Sequence, residues 1–222
     1  MGEIIRREAA AADILEDAKT TLTNATVRGG VWQAAAEARL SPLLALAAGV
    51  QARREAAQTA FRPAQALLGI TDDASDRLIS RISDDTWNLV GRPAHDAAFD
   101  LLFPGGVSYY TEGETRDQPE RMELLAELLE SGIHPRLPAE NARAFAAELR
   151  ASGAALREKD DAARPFAARI ALADKMEIAI ARTAHASLVA LKRIWKAEGH
   201  SDPEIHEVIP DRPRPVKKAP AA

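Results

Sequence analysis

Apolar positions recur along most of this chain at steps of three and four, the spacing that gathers side chains on one face of an α-helix. The pattern is longest between residues 164 and 199, where Phe166, Ile170, Ala173, Met176, Ile180, Ala184, Leu188, Leu191 and Trp195 keep step. Pro165 suits the first turn of such a helix, because its missing N–H would have no partner there, and Gly199 stands where a helix stops. The same spacing predicts helices over 3–26, 31–61 and 62–90, with Arg28-Gly29-Gly30 as the first break. Ser41-Pro42 reads as a kink or a fresh start, and 69–72 as an interruption re-capped by Thr71 or Asp72. Residues 96–103 form a short amphipathic stretch stopped by Pro104-Gly105-Gly106. The segment that follows has no helical period and reads as a surface connector. Helices resume over 119–131 and 138–163, and a second short stretch, 202–209, follows the long helix.

The two halves echo each other. Arg62-Pro63 matches Arg164-Pro165, Trp87-x-x-x-Gly91 matches Trp195-x-x-x-Gly199, and the stretch from Asp96 to Pro104 matches that from Asp202 to Pro210. The offsets are 102, 108 and 106 residues, and an insertion near 69–73 accounts for most of the drift. One helical hairpin cannot bury its apolar face alone, whereas two copies can close a four-helix bundle. The expected fold is therefore all-α: a helical bundle of two duplicated long-helix hairpins with a four-helix-bundle-like core and short capping helices. The first repeat is placed at 1–104, a connector loop at 105–118, the second repeat at 119–210, and a disordered, basic, Pro-rich tail at 211–222. The short helices are expected to cover the bundle with Phe99, Leu102 and Phe103, or with Ile205, Val208 and Ile209.

Composition agrees with helix. The chain is 46% hydrophobic and 28% charged, with only 5% aromatics. Alanine, the best helix former, makes up about one residue in five. The net charge of −4 argues against a dedicated nucleic-acid binder, which usually presents a basic face. The absence of cysteine excludes disulfides, thiolate-bound zinc, iron–sulfur clusters and thiol catalysis. Charges interrupt the first eighteen residues every few positions, so no signal peptide is expected. No window reaches the length of apolar sequence that spans a membrane, and a cytoplasmic protein is expected.

Catalytic motifs are missing. No Glu is followed three residues later by His, as a di-iron bundle requires. His95, His134, His185, His200 and His206 are not spaced as a metal set and read as surface or boundary residues. Gly29-Gly30 and Gly105-Gly106 lack the flanking pattern of a phosphate loop. No cofactor or metal is therefore expected.

Six residues remain as candidates for an interface or pocket. Trp87 and Trp195 could share an aromatic platform, although anchoring of the short helices is the simpler reading. Tyr109 and Tyr110 either form an exposed binding loop or pin the connector. Arg54 falls on an apolar face, and Glu177 is the other charge expected to point inward. The leading expectation is a non-enzymatic helical-bundle protein that acts through protein–protein interaction or self-association, with its partner unspecified. In alanine content, lack of cysteine and amphipathic helices the chain is also similar to phasins, which implies an amphipathic coat on a granule or membrane surface. A third expectation is a ligand-binding bundle or enzyme with a pocket between the repeats.

Overall fold

The computed structural model describes residues 4–212, and these are helical with no strand. Helix α1 spans Ala11–Arg28 and α2 spans Gly30–Leu89. Three short pieces follow: α3 at Ala97–Leu102, α4 at Ser108–Thr111 and a 3₁₀ turn at Thr115–Asp117. Helix α5 is Gln118–Glu130, α6 is Ala139–Ala197 and α7 is Asp202–Val208. No described helix is long and apolar enough to cross a membrane.

The largest departure from expectation is continuity. The predicted breaks at Ser41-Pro42, Arg62-Pro63 and 69–72 do not occur, and α2 runs unbroken for 60 residues. The predicted boundary between residues 163 and 164 is also absent, and α6 runs for 59 residues. Proline inside a helix removes one hydrogen bond and frees the carbonyl four residues earlier. Here Pro42, Pro63 and Pro165 all face solvent, and so do Ala38, Thr59 and Asp161 at the freed carbonyls. Water can satisfy those groups, and alanine-rich flanks favour helix on both sides. Four expected long helices are thus two.

Two smaller corrections concern the ends and the connector. Residues 4–10 are not helical, because Ile5 leaves the α1 face and is buried in the core beside α1. The predicted loop contains α4 and the 3₁₀ turn, and Tyr110 within it is fully buried. Of the tail, residues 213–222 lie outside the described region. Its first two described residues are held: Asp211 lies 3.3 Å from His206 Nδ1, and the Arg212 guanidinium donates to both oxygens of Asp17, whose side chain is buried.

The chain forms two compact units. The first takes the residues up to Ala57 and those from Arg169 on, and the second takes Gln58–Ala168. In the first unit, Ile14 and Ala18 of α1 meet Trp32 and Leu40 of α2, Leu188, Leu191 and Trp195 of α6, and Ile205 and Val208 of α7. In the second, Ile79 and Ile82 of α2 pack with Leu102, Phe103, Tyr110, Met122 and Leu125, and with Phe145 and Leu149 of α6.

Both long helices end in the same way. The Gly91 N–H bonds to the Asn88 carbonyl at 3.2 Å and the Arg92 N–H to the Trp87 carbonyl at 2.9 Å. At the end of α6, Gly199 bonds to Lys196 at 3.1 Å and His200 to Trp195 at 3.0 Å. This pair of bonds is a Schellman cap, and it needs a left-handed residue at the glycine. Gly91 has φ +92° and Gly199 φ +93°. Neither site would crowd an added Cβ, so the cost of alanine is the backbone conformation alone. Gly91→Ala and Gly199→Ala are each expected to destabilise by about 1–2 kcal/mol. Urea melts of the two variants check this, and a cost near zero at either site would contradict the shared cap.

Each cap then launches a short helix with its own N-terminal device. Asp96 accepts from the Ala98 and Phe99 N–H groups, whereas Glu204 reaches back to the Ser201 N–H and hydroxyl. Phe103 and Ile209 close the two helices with matching bonds to Phe99 and Ile205.

Candidate interaction surfaces

Arg54 and Glu177 come together. The Arg54 Nη1 donates to Glu177 Oε2 at 3.3 Å, and Nε lies 3.0 Å from Asp174 Oδ1 without hydrogen-bond alignment. Asp174 and Glu177 are three apart on α6, so one guanidinium spans two carboxylates on the same helix face. All three side chains keep partial solvent contact, between 23% and 46%. Each contact is therefore worth about 0.2–1 kcal/mol. The cluster ties α2 to α6.

The two tryptophans sit in different units and in different environments. Trp195 is fully buried, its ring 4.6 Å from Trp32, whose other neighbours are His200 at 4.2 Å and the Arg28 guanidinium at 4.7 Å. Its Nε1 has no acceptor. Trp87 is 39% exposed, donates to the Pro93 carbonyl at 3.3 Å, and has Arg92 5.7 Å from its ring. Trp32 did not stand out in the sequence, because it falls outside the repeated Trp-x-x-x-Gly pattern.

The tyrosines also divide. Tyr109 is 47% exposed, and Tyr110 is buried with its hydroxyl donating to the Leu102 carbonyl at 2.7 Å. Burial, with a smaller contribution from Tyr109, pushes the Tyr110 phenol up to about 12. Tyr110 therefore anchors the connector to α3.

His134 is buried rather than at the boundary. Its Nδ1 accepts from the Arg136 N–H at 3.3 Å, which leaves Nε2 to donate to Asp96 at 3.3 Å. Arg136 adds an ion pair to the same carboxylate oxygen. Partial burial would raise the Asp96 pKa, but the bonds from Phe99, Arg136 and Ala98, with His134 nearby, hold it below the usual carboxylate range. Every lone pair that Asp96 offers inward is taken, so the group is structural. Among the described residues no three His, Asp or Glu side chains gather as a metal site.

Two further surfaces stand open among the described residues. On α2, within the second unit, Ala60, Pro63, Leu67, Ile70 and Ala74 repeat at three, four, three and four. All but the half-buried Ala60 are exposed, Leu67 to 54% and Ile70 to 65%. In the first unit, Arg7, Arg182, His185 and Arg193 border a hollow of about 470 Å³ floored by Ala186 and Val189. Neither surface drew notice from sequence, since the first looks like core and the second is diluted by the acidic total. No protein-family model, curated protein or solved structure matches this chain.

Proposed function

We propose that this is a non-enzymatic helical protein that acts by protein contact, and that the exposed seam of α2 seats a second copy of the chain. The seam carries the reading. Its alternating three- and four-residue steps are those with which one helix packs along another. Leu67 and Ile70 at its centre supply apolar area, and the small groups at its ends let a second backbone approach. The five positions cover about 21 Å of helix. An interface that short falls below the roughly 1,000 Å² of a stable complex, so self-association in the micromolar range is expected.

Light scattering over a concentration series tests it. The wild-type mass should rise towards that of a dimer, and Leu67→Glu/Ile70→Glu should stay monomeric with unchanged helical circular dichroism. A wild-type monomer at every concentration, or a variant that associates equally well, would rule out the seam.

The duplication belongs to the same proposal, with copies at 1–104 and 119–210 joined by 105–118. Its support is the matched Schellman caps, the matched burial of Leu102 and Phe103 against Val208 and Ile209, and the nearly equal long helices. Each compact unit holds the first part of one copy's long helix and the last part of the other's. Helix starts and caps correspond at offsets of 109 and 108 residues. The Arg-Pro pairs, at 102, then fall about one and two-thirds turns out of register, so they do not count as equivalents.

A further inference from the structure

We infer that the hollow bordered by Arg7, Arg182, His185 and Arg193 is a docking groove for an acidic amphipathic helix of a partner protein. The inference rests on the reading that the chain works by protein contact, but it concerns a separate surface.

The first observation is uncompensated charge. Several described arginines sit beside a carboxylate, as Arg28, Arg54, Arg81, Arg136, Arg150 and Arg164 do. Arg7, Arg182 and Arg193 have no such partner among the described residues, and no carboxylate lines this hollow. An adjoining hollow of about 270 Å³ shares Arg7 and Arg182, and Glu8 is its single acid. A chain with net charge −4 thus carries a basic face.

The second observation is shape and spacing. Arg182 and Arg193 are eleven residues apart on α6, which places them within about 20° of one face and about 16 Å along it. Ala186 and Val189 lie between them and make an apolar floor. A single phosphate cannot reach both ends. A nucleic-acid strand would place charge along the whole length, including over the apolar floor, and would find only the His185 imidazole to stack on. A lipid surface is flat where this site is concave. An acidic helix of about eleven residues, with carboxylates near its two ends and small apolar groups between, matches both charge and floor.

The test uses the full-length protein and a fluorescent synthetic peptide of that design, with a Glu→Gln version as control. Anisotropy should show saturable micromolar binding that weakens with salt, because the pairs would be only partly buried. Arg182→Ala/Arg193→Ala should weaken it by about tenfold or more, and so should the Gln peptide. Both arginines are exposed, and an unchanged melting temperature verifies that the variant is folded. The Leu67→Glu/Ile70→Glu variant should bind the peptide normally, which separates this groove from the α2 seam. No binding up to about 1 mM, or equal binding by the arginine variant, would overturn the inference. Capture by phosphatidylserine vesicles or by tripolyphosphate, without capture of the peptide, would overturn it in favour of another anion.

Discussion

Trp195→Ala is expected to destabilise the protein by about 3–5 kcal/mol. Trp195 is the largest fully buried side chain, and it packs with Trp32 at the point where α2, α6 and α7 meet in the first unit. Alanine leaves a void beside Trp32, within a buried cluster that also holds Leu188, Leu191 and Ile205. For a chain of this length the loss corresponds to a fall of roughly 10 °C in the melting temperature. Trp87→Ala provides the contrast. Its ring is 39% exposed and its single hydrogen bond lies near solvent, so the cost should be about 1 kcal/mol. Trp195→Phe should cost less than its change in volume implies, because it also removes a buried N–H that has no acceptor. Thermal and urea melts of the three variants check the ranking. Equal losses at Trp87 and Trp195 would mean that burial does not separate the two.

Tyr110 is the second sensitive position. Tyr110→Ala should cost about 3–5 kcal/mol through the cavity it leaves. Tyr110→Phe keeps the ring but strands the Leu102 carbonyl, at about 1–3 kcal/mol. The hydroxyl also predicts a pH dependence with a definite sign. The fold favours the neutral phenol, whose pKa rises from 10 to about 12. Below pH 10 both folded and unfolded chains hold the proton, and the contribution is fully present. Between about pH 10 and 12 the unfolded chain ionises first, and stability falls by up to about 3 kcal/mol. Urea melts of the wild type and Tyr110→Phe across that range should converge as pH rises. Parallel curves would show that Tyr110 does not carry the alkaline loss.

These two positions also mark where sequence reading succeeds and where it stops. The three-and-four spacing made helices legible almost everywhere, because amphipathic periodicity is a local property of the chain. The glycines that end α2 and α6 were legible for the same reason: a left-handed cap needs a residue without Cβ, and Trp-x-x-x-Gly announces it twice. The expected inward charges, Arg54 and Glu177, meet at 3.3 Å because both lie on predicted apolar faces.

Helix continuity was not legible. A proline weakens a helix wherever it stands, but whether the helix breaks depends on which way the freed carbonyl faces. At Pro42, Pro63 and Pro165 the residues that carry the freed carbonyls are exposed, which the packing of each helix decides. The pairing of Trp195 with Trp32 was equally hidden, since it joins residues 163 positions apart on different helices. The same holds for Arg212 on Asp17 and for His134 on Asp96. The two open surfaces show the limit most clearly. Leu67 and Ile70 carry the same periodic signal as buried leucines, and Arg182 and Arg193 the same charge as paired arginines. Periodicity and composition define what each face of a helix offers. Which faces are covered, and which charges are answered, depends on contacts between segments distant in sequence.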